Sequence, residues 1–502
     1  MQASHPLALV SNQQMNALDK AALAFGVPGS QLMDAAGLAV AKVIAKNWAP
    51  CPTLVACGPG NNGGDGFVIA RYLQSWGWPV RVATVADANR YTGDALHHFK
   101  LWTGPSQRLS AAALDGAHLV VDALFGAGLG RPVKQETLLF IQALKQSGLP
   151  VCAVDIPTGI EGSSGRALGE AVYAQHTVTF VRKKLAHVLQ PGRSHCGQIH
   201  VEDIGMPAAV LASGAASALE NHPKLWLSYL PQLQAATHKY TRGHVLIAGG
   251  AQLSGAARLA ALASARIGAG LVTVAAPRDV WPIYATSLQS IMVTPIDGLS
   301  SWTSLLDDAR KNAILLGPGG GVSQELQEKV LLGLEKRRAL VLDADALSSF
   351  ASKPETLFAA INSPCVLTPH EGEFARLFPQ LSQSNTSLNK VDRALAAAQK
   401  SQAVVLLKGA DTVIAAPNGQ AVVNTNAPPQ LATAGTGDVL AGMIAGLMAQ
   451  GLEPFWAAAA SSYLHGEMAK QFGLGLIADD LPGLIPNALQ AIKNQNGAEA
   501  PA

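Results

Sequence analysis

At 502 residues the chain is long enough for two or more domains with large cores. Hydrophobic residues make up 49% and charged residues 14%, the composition of a soluble, well-buried protein, and a formal net charge of +2 gives no electrostatic reason to expect nucleic acid or an anionic membrane surface. No apolar stretch is long enough to span a bilayer, and residues 1–11 lack the basic region of a signal peptide. The cysteines Cys51, Cys57, Cys152, Cys196 and Cys365 are odd in number and scattered, with no CxxC, so reduced thiols in a cytoplasmic protein are expected rather than a zinc site or disulfide framework.

Residues 11–47 read as two helices, the second Ala-rich with Asp34 and Gly37 early in it. Thr53-Leu54-Val55-Ala56-Cys57 is a short apolar strand running into Gly58-Pro59-Gly60-Asn61-Asn62-Gly63-Gly64-Asp65-Gly66, with a helix expected over 67–76. A strand, a glycine loop and a helix form a phosphate-binding arrangement. Two amides and a carboxylate in that loop point to oxygen coordination of a cation, or to hydrogen bonds with a polar substrate, against a plain Asx-rich turn. Strands are then expected over 80–86, 119–122, 150–155, 177–180 and 198–201, with helices over 93–102 and 136–146. Two of these strands end in carboxylates, Asp122 and Asp155, and are followed by Gly126-Ala127-Gly128-Leu129-Gly130-Arg131-Pro132 and Ile156-Pro157-Thr158-Gly159. A single strand-end Asp is often only a turn or a cap. Three polar, glycine-rich strand ends in one open α/β sheet make a ligand site. The basic cluster Arg182, Lys183 and Lys184 is either a solvated strand end or a partner for ligand phosphate.

These segments resemble the epimerase domain of the NAD(P)H-hydrate repair enzymes over roughly residues 10–210. The resemblance implies a Rossmann-like three-layer domain that interconverts the R and S epimers of hydrated NADH and NADPH. It implies that Asn61, Asn62, Gly63, Gly64 and Asp65, then Gly126, Ala127, Gly128, Leu129, Gly130, Arg131 and Pro132, and then Asp155, contact substrate. It places potassium on Asn62, Asp122 and Thr158, and makes Asp155 the acid/base residue at the epimerised carbon. Two positions depart from the family: Asp34-Ala35 stands where Glu-Asn is usual, and Thr158 where Ser is common.

Residues 207–231 are rich in Ala, Ser and Pro with little helical periodicity, and a domain boundary is expected near 219, giving domains 1–218 and 219–502. Beyond it the α/β pattern resumes. A strand over 245–248 leads to a helix opened by Ser254-Gly255-Ala256-Ala257, and Ala313-Ile314-Leu315-Leu316 runs into Gly317-Pro318-Gly319. Later apolar strands run into Asp343-Ala344-Asp345-Ala346-Leu347, Thr368-Pro369-His370-Glu371-Gly372-Glu373 and Lys408-Gly409-Ala410-Asp411-Thr412. Taken singly, Asp343 and Asp345 read as caps, His370 as a loop histidine and Lys408 as a surface charge. Their common place at strand ends of a largely parallel sheet argues for one site. Ala434-Gly435-Thr436-Gly437-Asp438 then opens an apolar helix in which Gly442, Ala445 and Gly446 allow close packing. Its backbone N–H groups can converge on an anion, and Asp438 can either cap the helix or take a proton from an attacking hydroxyl.

This order of segments, over roughly 230–490, is similar to the dehydratase domain of the same enzymes, a branch of the ribokinase-like fold. The resemblance implies that Asp438 is the catalytic base and that Lys408, Gly409, Ala410, Asp411, Thr412 and Gly437 bind the adenine nucleotide. It places Ala257, Gly319, His370 and Asp438 against the hydrated dinucleotide, with Mg2+ and ADP as cofactor and phosphoryl donor. The ADP follows the family's bacterial members, since the residues themselves do not choose ADP over ATP. Gly320 and Ala434 depart from the usual Leu and Gly. A homo-oligomer acting on NADHX and NADPHX, the hydrates of NADH and NADPH, is expected. The rival readings are a ribokinase-like small-molecule kinase with a nucleotide-binding N-terminal module, and an N-terminal half that binds without catalysing.

Overall fold

The computed structural model describes residues 1–497, so the last five residues of the expected second domain lie outside the described residues. The chain divides into two compact units, Met1–Leu219 and a second from Glu220 onward.

In the first unit, seven parallel strands lie in the order Ser106–Arg108, Val80–Thr84, Thr53–Cys57, Leu119–Ala123, Val151–Val154, His176–Phe180 and Gln198–Glu202. Counted along the chain this is 3-2-1-4-5-6-7, so the order reverses between Thr53–Cys57 and Leu119–Ala123. The central strands are buried along their whole length, as continuous apolar runs in a covered parallel sheet should be. The helix Asn12–Ala24 starts at a capping box in which the Ser11 hydroxyl accepts from Gln14 N and the Gln14 side chain from Ser11 N.

The helix expected from residue 67 begins at Asn61 and runs to Ser75. The glycines that read as a loop are instead points of close approach inside it. A Cβ on Gly63 would stand 1.8 Å from Gly58 O, and one on Gly66 2.6 Å from Cys57 Sγ. The segment expected to be an irregular joint carries a short helix, Ala208–Ser213, and a strand, Ala218–Glu220. Within the second unit Trp226 is fully buried and donates to Asn221 Oδ1 at 3.0 Å.

The second unit repeats the pattern. Its strands lie in the order Met292–Ile296, Leu271–Pro277, His244–Ala248, Ala313–Leu316, Ala339–Leu342, Cys365–Leu367, Val404–Leu407, Thr412–Ala415 and Ala421–Asn424. The first seven are parallel and the last two form an antiparallel extension. The helix Thr436–Ala449 is buried nearly all round and packs on Ser254–Arg266. A Cβ on Gly442 would sit 2.2 Å from Ala260 O, and Ser264 Oγ donates to Gly442 O at 2.8 Å, so only glycine lets these backbones meet.

Candidate functional site

Both sheets put their chemistry outside the carboxyl ends of the strands, where an open α/β sheet binds ligands. In the first unit a cavity of about 520 Å³ lies at the reversal of strand order. Asn61, Asn62, Asp65, Gly126, Ala127, Gly128, Leu129 and Asp155 all line it. Gly63 and Gly64 are buried in the helix behind it, and Gly130, Arg131 and Pro132 are exposed and do not line it. Asn16, Asp19, Leu32, Met33 and Lys184 also line the cavity, and the sequence reading passed over them or left them open. Asn16 and Asp19 stand one turn apart on the helix Asn12–Ala24, a spacing that could have flagged them.

Asp155 sits at φ +63°, a left-handed conformation unfavourable for a non-glycine residue. Its Oδ1 pairs with Lys184 Nζ at 2.7 Å and accepts from Thr179 Oγ1 at 2.9 Å, while Oδ2 accepts from Ala127 N at 3.0 Å. The two side chains of the ion pair are 3% and 14% exposed. Burial pushes the Asp155 carboxyl up, but the Lys184 ammonium and its hydrogen bond outweigh burial and hold it below the usual carboxylate range. His187 locks this geometry: its Nδ1 accepts from Lys184 N and its Nε2 donates to Asp155 O, each at 2.8 Å. Burial, then the Lys184 charge, lower that imidazole to about 4, so it is neutral as these bonds require. Asp65 differs in kind: burial first, then Asp155 and Asp19, push it well above the carboxylate range, with Lys184 opposing.

Beneath the cavity Asp122 is wholly buried. It accepts from Thr158 Oγ1 at 2.7 Å, Thr158 N at 2.8 Å and Leu124 N at 3.3 Å. Burial raises it to about 6 against these bonds, and no cationic side chain contributes to the shift. Thr158 Oγ1 also lies 3.2 Å from Phe125 O, and the Asn62 amide, oriented with its oxygen to Gly126 N and its nitrogen to Val154 O, bridges that turn and the end of the strand Val151–Val154. Thus Asn62, Asp122 and Thr158 gather around Phe125 and Gly126. One buried carboxylate without a cationic partner, among neutral oxygens, is a donor set that fits a hard monovalent cation.

In the second unit the carboxyl ends of successive strands bring together Asp343, Thr368 and Lys408. Lys408 Nζ lies 2.7 Å from Asp343 Oδ1 and 3.9 Å from Glu373 Oε2, and Thr368 Oγ1 donates to Asp343 Oδ1 at 2.8 Å. Lys408 is therefore no surface charge: burial disfavours its ammonium, but Asp343 and Glu373 raise it overall. Asp343 stands at a helix start yet makes no cap bond, and Asp345 accepts from Gly321 N at 2.9 Å.

Gly435, at φ +91°, turns the chain into the helix Thr436–Ala449. Asp438 lies in the first turn of that helix, whose N-cap residue Gly435 has no side chain to cap it. Burial, then Asp343 and Asp345, raise the Asp438 carboxyl to about 6, with Lys408 opposing. A Cβ on Gly437 would lie 3.7 Å from Lys408 Nζ, so the ammonium stands beside the first turn and its free N–H groups.

His370 caps the helix Glu371–Leu377 through Nδ1 and is 56% exposed, leaving its outer face open. Gly409 and Ala410 form an exposed tip whose turn is closed by Thr412 Oγ1 on Gly409 O at 2.7 Å, with Asp411 held by Lys390 at 2.6 Å. Gly319 approaches Leu253 O at φ +63°. Ala257 is fully buried in the helix Ser254–Arg266, so its side chain offers no open surface.

Comparison with known proteins divides along the same line. Residues 244–489 match the NAD(P)H-hydrate dehydratase family, and residues 29–186 match the YjeF-related protein N-terminus. A bifunctional NAD(P)H-hydrate repair enzyme of Moorella thermoacetica is 37% identical with 97% of each chain covered, and one of Salinibacter ruber is 35% identical with 92% of each covered. Among solved structures, an ADP/ATP-dependent NAD(P)H-hydrate dehydratase from Bacillus subtilis, co-crystallised with ATP/Mg2+, is 30% identical over 52% of this chain and 94% of that one, with a TM-score of 0.47.

Proposed function

The chain belongs to the bifunctional NAD(P)H-hydrate repair enzymes, and on that footing we propose that its two sites divide the repair between them. The first, in residues 1–218, equilibrates the R and S hydrates. The second, in residues 219–502, dehydrates the S epimer to NAD(P)H, with ADP giving AMP and phosphate. The observation that carries this reading is the pair of separate strand-end sites, one built on Asp155 and Lys184, the other on Asp438 and Lys408.

In the second site the hydroxyl of the hydrate is a poor leaving group and its phosphate ester a good one. Asp438 takes the hydroxyl proton as the oxygen attacks the terminal phosphoryl group. The N–H groups of the first helical turn and the Lys408 ammonium receive the negative charge of the transferred group. Gly409, Ala410, Asp411 and Thr412 shape the edge against which the nucleotide lies, and His370 offers its open face to the substrate. Mg2+ bound with the nucleotide would be carried largely by phosphate oxygens and water. When bound, Mg2+ neutralises charge on those phosphates.

In the first site Asp155 is the ionised group facing substrate, with K+ held by Asn62, Asp122 and Thr158 where the uncompensated carboxylate lies. Incubation of the protein with mixed R and S hydrates, with and without ADP, followed by chromatography, tests the reading. The epimers should equilibrate without ADP, and both should disappear as NAD(P)H forms when ADP is present. A stable phosphorylated product would favour the small-molecule kinase instead.

A further inference from the structure

The cavity of the first unit holds two carboxyl groups in opposite surroundings. Asp155 is ringed by donors, from Lys184, Thr179 and the backbone of Ala127. Asp65 lines the same cavity, on the helical face of Asn61 and Asn62, and its carboxyl has no protein hydrogen-bond donor among the described residues. Carboxyls placed this way separate into an ionised and a neutral member. Burial and the neighbouring Asp155 and Asp19 act on Asp65 in that sense.

The substrate's chemistry needs such a pair. Water adds to the reduced ring at the carbon next to the ring nitrogen, where nitrogen stabilises positive charge, so the epimeric centre is a hemiaminal. Its C–H is not acidic, because a carbanion there has nothing to conjugate with. Its C–N bond is labile, because the departing nitrogen is conjugated through the remaining ring double bond to the carboxamide.

We propose, resting on the reading of this cavity as the epimerising site, that Asp65 and Asp155 act as an acid–base pair that epimerises the hydrate by opening its ring. Asp155 removes the hydroxyl proton, the C=O bond forms as the ring C–N bond breaks, and Asp65 gives its proton to the ring nitrogen. Rotation about the adjacent C–C bond presents the other face of the aldehyde. On closure the nitrogen attacks the carbonyl carbon, its proton returns to Asp65, and the alkoxide takes the proton back from Asp155. Nothing is gained, lost or oxidised. Lys184 touches Asp155 and is a positioning residue.

The test uses the full-length protein and the R hydrate without ADP, in D2O and separately in 18O-labelled water. The account expects the S epimer to form with protium at the hydroxyl-bearing carbon and the original oxygen retained. Deuterium at that carbon would establish a carbanion route, and 18O in each epimerised molecule would establish loss and return of hydroxide; either overturns ring opening. These measurements use the unmodified chain, so they stand whether or not a variant folds. Asp65→Asn should lower epimerisation about 100-fold or more with KM within about threefold. Epimerisation within about threefold of the unmodified rate would overturn the role of Asp65. If the unmodified protein leaves the R to S ratio at its spontaneous drift, the epimerase reading itself fails, a result distinct from any labelling pattern.

Discussion

Lys184→Met tests the electrostatics of the first site most sharply, since it removes an ammonium while keeping much of the side-chain volume. That ammonium is 3% exposed and bonds Asp155 at 2.7 Å, Thr179 Oγ1 at 2.9 Å and Phe180 O at 3.2 Å. Removing one partner of a buried pair costs about 3–5 kcal/mol, because the other charge stays behind unpaired. Asp155 keeps Thr179 and Ala127 as donors, which places the loss near the lower end, about 3 kcal/mol. For a unit of this size that lowers its melting temperature by roughly 6–12 °C. The pH dependence has a definite sign. Because Lys184 holds the folded Asp155 carboxyl below its ordinary value, the pair's contribution is complete above the unfolded value of about 3.9 and fades as pH falls through the lower folded one. The gap between variant and unmodified protein should therefore be full at neutral pH and shrink below about pH 4. Epimerisation should fall about 100-fold at neutral pH, because the Asp155 carboxylate loses the ammonium that positions it. Calorimetry across that pH range, with epimer ratios on the same samples, reads both effects. An unchanged melting temperature with intact epimerisation would refute the reasoning.

Asp438→Asn should lower ADP-dependent dehydration by about 10²–10⁴-fold and leave epimerisation intact, read as substrate loss and epimer ratio on one sample. In the unmodified protein, dehydration should lose about tenfold in kcat/KM per pH unit below the Asp438 value of about 6, since only the ionised form accepts a proton. Replacing potassium with a bulky organic cation should slow epimerisation and spare dehydration, and Asp122→Ala should slow it further; normal epimerisation by that variant in potassium-free buffer would remove the cation from the account. A fragment of residues 220–502 should consume the S hydrate with ADP and leave the R hydrate, as chromatography of both peaks over time would show.

The strands bearing both sites were legible because buried parallel strands are continuous apolar runs, and Thr53–Cys57, Ala313–Leu316 and Val404–Leu407 end where the pattern breaks. Met292–Ile296 escaped because it is a partly exposed edge strand containing Pro295. The helix start at Asn61 was hidden by glycines that serve close packing, a tertiary demand with no local signature. Asn61, Asn62, Asp155 and Asp438 could be found at strand ends and a helix start. What each carboxylate does depends on cations distant in sequence, Lys184 for Asp155 and Lys408 beside Asp343 and Asp438. No spacing rule links those pairs, so the ionised and protonated carboxylates could be told apart only in three dimensions.

The division of labour is tested most directly by complementation between two full-length variants. Asp155→Asn, given mixed hydrates and ADP, should clear the S epimer and leave the R epimer to its slow spontaneous interconversion. Adding Asp438→Asn, which cannot dehydrate but retains the other site, should then make the remaining R hydrate disappear. If Asp155→Asn alone clears both epimers faster than they interconvert without enzyme, the first site has no such task and the account is wrong.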